Sequence, residues 1–168
     1  MRKILTTTLF VLAAFCGHTQ TSKFKSSTYN YTINIPEDFQ RKSATGKHID
    51  FKVANQDGSS ILVNVSKRLP EEKGMDGHSY TKEYFKTVFD QTDPNTIISK
   101  TEKIIIDGKK TFLIYYSYPS NRGNYLKVIE GYLFVGDNAY VITATAGDDK
   151  YEAYKNIFLQ TIKSIKFQ

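Results

Sequence analysis

Apolar and polar residues alternate over most of the chain. Across residues 29–35, Tyr29, Tyr31, Ile33 and Ile35 alternate with Asn30, Thr32 and Asn34. A period of two in aromatic and β-branched residues predicts a half-buried strand. Pro36 stops it, because proline brings no backbone donor to a ladder. Ile49, Phe51 and Val53 repeat the pattern over 48–54, and Ile61, Val63 and Val65 repeat it over 61–67. Asp57 and Gly58 between them predict a hairpin turn. Residues 96–106 and 110–118 flank Asp107 and Gly108, and residues 125–135 and 139–146 flank Gly136, Asp137 and Asn138. Both arrangements predict tight hairpins, and the polar stretch 119–124 predicts the turn that joins them.

Two segments change period. In 78–91, Tyr80, Tyr84, Val88 and Gln91, beside Phe85 and Phe89, follow the three- and four-residue spacing of an amphipathic helix. Ser79 is its predicted N-cap, and Pro94 ends the region. The loop before it, 69–77, carries Pro70, Gly74 and Gly77 among charges. The second helix opens at Asp148 and Asp149, which offer a capping oxygen and negative charge at the dipole's positive end. Tyr151, Tyr154, Phe158, Ile162 and Ile165 fall on one stripe of it, with Lys163 and Lys166 near its end. Several strands are apolar on both faces: Phe112, Ile114 and Tyr116 oppose Leu113 and Tyr115. Such a sheet needs cover on both sides. The predicted class is α+β, an antiparallel β-sheet flanked by helices on both faces (an α/β/α sandwich), forming one domain over 29–168. Residues 20–28, rich in Ser, Thr and Lys, read as a flexible lead-in.

This order of elements resembles the PsbP/DcrB-like superfamily. The resemblance is carried by the early strand running into Ile35, Pro36, Glu37, Asp38 and Phe39, and by the aromatic helix over 80–89. It continues through the strand–turn–strand step Ile104, Ile105, Ile106, Asp107, Gly108, Lys109 and Lys110. The last strand, 139–146, and the closing helix through Phe158 to Ser164, Ile165 and Lys166 complete it. The match spans nearly all of 29–167. Members of the family often have Trp shortly after the Pro, where this chain has Phe39, and the chain has no Trp. The resemblance implies a small, often exported and mostly non-enzymatic protein. PsbP itself is an extrinsic subunit that docks on photosystem II and helps retain its ions, and DcrB-like proteins belong to the cell envelope. No catalytic residue is carried over with the fold, because function lives in sites rather than in folds.

A length of 168 residues with 40% hydrophobic and 24% charged content fits one folded domain and excludes a disordered chain. No apolar run approaches the roughly 20 residues that span a bilayer. Residues 1–19 read as a secretory signal peptide: Arg2 and Lys3 precede the apolar stretch 4–15, and Gly17 and Thr19 are the small residues before cleavage at Gln20. Cleavage removes two positive charges from a net +6, and also removes Cys16, the only cysteine. The mature domain then relies on packing rather than on a disulfide. A second reading makes Cys16 the acceptor of a lipid anchor, although bulky Phe15 stands where a lipobox has a small residue.

Candidate chemistry is sparse. No Gly-x-Ser-x-Gly elbow occurs, and the mature chain keeps only His48 and His78, both at predicted element boundaries. No His-x-x-x-His pair, Asp-x-Asp-x-Asp-Gly loop, P-loop or Gly-x-Gly-x-x-Gly is present. Lysines are scattered among Asp and Glu without a dense basic run, which argues against nucleic acid as partner. The sequence thus predicts no catalytic residues, no metal and no cofactor. Asn30 and Asn64 match the glycosylation acceptor pattern by chance on strands. The chain holds 12 Tyr and 11 Phe, many of them on the late strands. Tyr118, Asn121, Arg122 and Tyr125 flank or form a turn, where aromatic residues are available to a partner. The sequence reading is an exported (periplasmic or extracellular), non-catalytic accessory module of the cell envelope that docks an envelope protein through these residues or a sheet edge. Its alternatives are a carrier of a small apolar ligand or ion, and a hydrolase with a composite site that brings His48 or His78 to a carboxylate in a cleft.

Overall fold

Period-two patterning builds the longer strands, and the described residues form ten strands and two helices. The computed structural model describes residues 22–121 and 123–168. The expected signal segment 1–19, Cys16 and Arg122 lie outside the described residues. The strands are β1 (Ser22–Lys25), β2 (Tyr31–Ile35), β3 (Gln40–Arg41), β4 (Ile49–Ala54), β5 (Ser60–Lys67), β6 (Ile97–Ile106), β7 (Lys109–Pro119), β8 (Tyr125–Val135), β9 (Asn138–Gly147) and β10 (Lys166–Phe167). The helices are α1 (Lys82–Thr92) and α2 (Asp148–Lys163). The main sheet has seven strands in the order β3-β4-β5-β9-β8-β7-β6, and all its pairs are antiparallel. A second sheet of three strands, β1-β2-β10, is also antiparallel. The fold is α+β, with one large antiparallel sheet and two helices.

The expected hairpins form. Asp107 and Gly108 both take positive φ, 48° and 72°, which is the backbone a two-residue β6–β7 turn with the twist of its strands requires. Register then distributes the side chains, because successive strand residues point to opposite faces. Leu113 and Tyr115 of β7 join a cluster with Ile129, Ile142, Phe158 and Ile162, and so pack with α2. Phe112 and Ile114 of the same strand join Tyr80 and Phe85, and so pack with α1. The three-stranded sheet adds Tyr31 and Ile33 to the α2 cluster, where they meet Phe51, Val63 and Tyr140.

Several boundaries differ from the sequence reading. Residues 22–25, inside the expected lead-in, pair with β2, because Phe24 packs against Tyr31 and Phe51 at 6.0 and 5.0 Å between ring centroids. The first helix starts later than Ser79. A single 3-10 turn, Gly77–Ser79, is capped by the Asp76 carboxylate, which accepts from the His78 amide at 2.8 Å. Thr81 then caps α1, its hydroxyl accepting from the Tyr84 amide at 3.2 Å. At α2 the N-cap is Gly147, and Asp148 and Asp149 lie in the first turn, where their charge still suits the dipole. The helix ends before Ile165. Ser164 turns the chain, donating to Thr161 O at 2.7 Å and accepting from the Asn34 amide at 2.9 Å. Lys166 therefore belongs to β10 rather than to a helix end. Asp107 holds that strand by accepting from the Phe167 amide at 2.8 Å and pairing with Lys166 at 3.2 Å.

Candidate functional site

The β7–β8 turn is a short, internally bonded loop. The Ser120 amide donates to Asn124 O at 2.7 Å, the Gly123 amide donates to Ser120 O at 3.0 Å, and the Ser120 hydroxyl donates to the Asn124 side-chain oxygen. Gly123 has φ of 83°, a conformation that glycine adopts without a Cβ clash. Beside this turn lies a depression of about 530 Å³, lined by Tyr118, Pro119, Ser120, Asn121, Asn124 and Leu126 from the hairpin. Asp57 and Gly58 of the β4–β5 turn, Gly147, and Asp149 and Lys150 of α2 complete the wall. Tyr154 of α2 donates to Asp57 at 2.7 Å and so fixes the β4–β5 turn against the helix.

Two of the four expected contact residues, Tyr118 and Asn121, share this depression. Tyr125 does not line it. It pairs with Pro119 in the ladder, while Leu126, which does line the depression, pairs with Tyr118. Tyr125 is 43% exposed, as expected for a turn-flanking tyrosine. Tyr118 is only half-buried rather than exposed, and burial, with the charges of Glu130 and Asp93, raises its phenol above the ordinary range. The walls supplied by Asp57, Asp149 and Lys150 were not visible in the sequence as site residues. The β4–β5 turn was predicted, but nothing in a turn dipeptide says which distant hairpin it will face.

Sequence reasoning also missed Glu130. It sits within β8 at 9% exposure, with no ion-pair partner among the described residues. Its carboxylate accepts from the hydroxyls of Tyr132 at 2.7 Å, Tyr116 at 3.2 Å and Thr143 at 2.7 Å. These donors replace lost hydration, which is what a buried carboxylate requires. Burial first, and then the Glu130 charge, push the Tyr116 and Tyr132 phenols well above the usual range. The signal that could have found Glu130 is a lone acid between Ile129 and Gly131, inside the otherwise uncharged run 128–135 of that strand.

The two histidines are not brought to a cleft. His48 is exposed at the end of a loop, and its carbonyl accepts from the Val65 amide at 2.9 Å. The His78 Nε2 lies 3.0 Å from Ile104 O, so its ring meets a backbone carbonyl rather than a carboxylate. Neither lines the hairpin depression. Among the described residues no group of three or more His, Cys, Asp or Glu side chains is arranged to hold a metal ion. Among the same residues no helix is long and apolar enough to cross a membrane.

No family model matches the chain, and no curated protein matches it by sequence. Solved structures do match in fold. The solution structure of cyanobacterial PsbP (CyanoP) from Synechocystis sp. PCC 6803 superposes with a TM-score of 0.63 at 12% identity, covering 92% of this chain and 96% of that one. LpqN of Mycobacterium tuberculosis, described as involved in cell envelope biogenesis, gives 0.63 at 12% identity, with coverage of 90% and 87%. The Ran-binding protein Mog1p of Saccharomyces cerevisiae gives 0.59 at 10% identity, with coverage of 89% and 96%. Together with the seven-stranded antiparallel sheet and its two helices, these likenesses show that the chain has a PsbP-like fold.

Proposed function

We propose that the protein is an exported, non-catalytic binding module of the cell envelope that docks a protein partner through the β7–β8 tip. In this reading the helices cover opposite faces of the main sheet, as α/β/α layers, and leave the strand ends free for recognition. One observation carries the proposal: Tyr118 and Asn121 share a depression of about 530 Å³ with Asp57 and Asp149, contributed by three separate parts of the chain. A concave site that combines an aromatic ring, amides and carboxylates on a braced frame suits a polar protein surface. Two likenesses support the class of function. One neighbour is described as Ran-binding, and another is involved in cell envelope biogenesis. Arg122 and the exposed Tyr125 would extend the contact beyond the depression.

The test is site-specific photo-crosslinking in the producing cells, with the photoreactive residue at Asn121 and, separately, at the exposed Lys86 of α1. A discrete adduct with one envelope protein from position 121 and none from position 86 is expected. Equal adducts from both positions, or none from 121, would remove the tip from consideration.

A further inference from the structure

A second concave site lies on the side of the sheet that carries α2, between that helix and the edge strand β6. Its volume is about 480 Å³. Tyr115, Tyr151 and Leu159 supply its apolar surface, and Lys100, Lys127, Lys155 and Lys163 reach it from three different elements. Three of these ammonium groups lie over the rings. Lys127 and Lys155 stand 5.5 and 5.8 Å from the Tyr151 centroid, and Lys100 stands 5.2 Å from that of Tyr115.

The charges around the groove are unequal. Among the described residues of the lining, Glu102 and Glu152 are the carboxylates, against four lysines. Glu102 is committed, since it accepts from the Tyr115 hydroxyl and pairs with Lys100 at 2.9 Å. Those two hydrogen bonds hold its carboxyl below the usual range. Glu152 lies 3.5 Å from Lys155, and Asp148, outside the lining, pairs with Lys127 at 2.7 Å. The depressions around Phe39 and at the hairpin tip show the opposite balance, with more carboxylates than ammonium groups. The groove is thus distinguished from them by the sign of its charge.

We propose that this groove binds a small anionic ligand with an apolar body. Its headgroup would sit between Lys127 and Lys155 over Tyr151, and its body would lie along Leu159 toward Tyr115. A carboxylate or phosphate there gains charge-assisted hydrogen bonds from two ammonium groups that already face one ring. The apolar part covers half-buried Leu159 and the rims of Tyr115 and Tyr151, which keep 5% and 6% of their surface exposed. The proposal is independent of the hairpin tip, because none of these residues lines that depression.

Decanoate is the probe, compared by titration calorimetry with octyl glucoside, which keeps an apolar chain but has no charge, and with acetate, which has no chain. Decanoate is expected to bind one-to-one and more weakly as salt is raised, while the other two do not bind. In the Lys127→Gln/Lys155→Gln protein its affinity should fall roughly tenfold or more, as loss of two charge-assisted contacts demands. Circular dichroism should be unchanged. Amide NMR shifts on adding decanoate should centre on Tyr115, Tyr151 and Leu159. Equal binding of decanoate and octyl glucoside would overturn the proposal. So would absence of decanoate binding, unchanged affinity in the double variant, or shifts centred on Phe39 or Tyr118.

Discussion

The two clusters that share β7 are built differently. The one under α2 is continuous and largely aliphatic, running from Val53, Ile61 and Val63 through Ile129 and Ile142 to Phe158, Ile162 and Ile165. The one under α1 is small and aromatic: Tyr80, Phe85, Phe112 and Ile114 are its buried members. α2 buries Tyr151, Phe158, Thr161 and Ile162, whereas α1 buries only Phe85. The α1 side is completed by the loop over 68–81 instead. Its Gly77 lies against the backbone of β7 and β8, Lys110 pairs with Asp76 at 2.9 Å, and Lys103 donates to His78 O at 2.6 Å. Burial of apolar surface is the dominant favourable term in folding, so stability concentrates under α2. A side held by Phe85, the partly buried Phe89 and a strap through Tyr80 opens locally at lower free energy.

The sharpest way to break this contrast is Phe158→Ala. Phe158 is fully buried and packs edge-on against Phe39 at 6.3 Å, so its loss leaves a cavity inside the larger cluster. The expected cost is about 3–5 kcal/mol in denaturant unfolding, with the whole domain affected. Gly77→Ala comes next. An added Cβ would stand 2.3 Å from Lys110 O and 2.6 Å from Tyr132 O, and neither backbone can yield without moving a strand. The strap must lift instead, at about 1–3 kcal/mol. Hydrogen exchange should quicken across α1 and leave α2 amides protected. Equal quickening in both helices would erase the distinction drawn here.

Glu130→Ala should cost less than Phe158→Ala, about 1–3 kcal/mol, because it strands the hydroxyls of Tyr116, Tyr132 and Thr143. Glu130→Gln, which retains an acceptor oxygen, should lie between it and the parent in thermal unfolding. The smallest effect is graded and appears in alkali. Burial raises the phenols of Tyr31, Tyr80, Tyr116 and Tyr132 above their ordinary value, and raises Tyr151 to about 12. The folded state therefore holds these protons more tightly than the unfolded chain does. Their stabilising contribution is complete below about pH 10 and declines as pH rises beyond it. Tyrosinate absorbance in an alkaline titration should show a late phase that coincides with loss of circular dichroism. A late phase that precedes unfolding would mean these tyrosines are accessible.

Much of this contrast was legible in residue order. Alternation in 112–116 already assigned Phe112 and Ile114 to one side and Leu113 and Tyr115 to the other, and the Asp107–Gly108 turn fixed the register that keeps them there. The illegible parts share a physical cause. β3 and β10 have two residues each, too few to display a period, and exist because Gln40 meets Ala54 across a loop and Lys166 meets Thr32 at the other end of the chain. Ile165 fits the helical stripe, yet Ser164 takes the chain out of the helix through a hydrogen bond to β2. The hairpin-tip residues were identifiable as turn residues, while their companions Asp57 and Asp149 reach the same depression only through the tertiary fold. Tyr125 shows the converse. It sits next to the tip in sequence and outside the depression in space.

The most direct measurement is the affinity of the envelope protein crosslinked from Asn121 for purified parent and Tyr118→Ala/Asn121→Ala proteins, by biolayer interferometry. The docking account predicts a loss of about tenfold or more, as expected when an aromatic anchor is removed from an interface, with unchanged thermal stability. Equal affinity of the two proteins would contradict it.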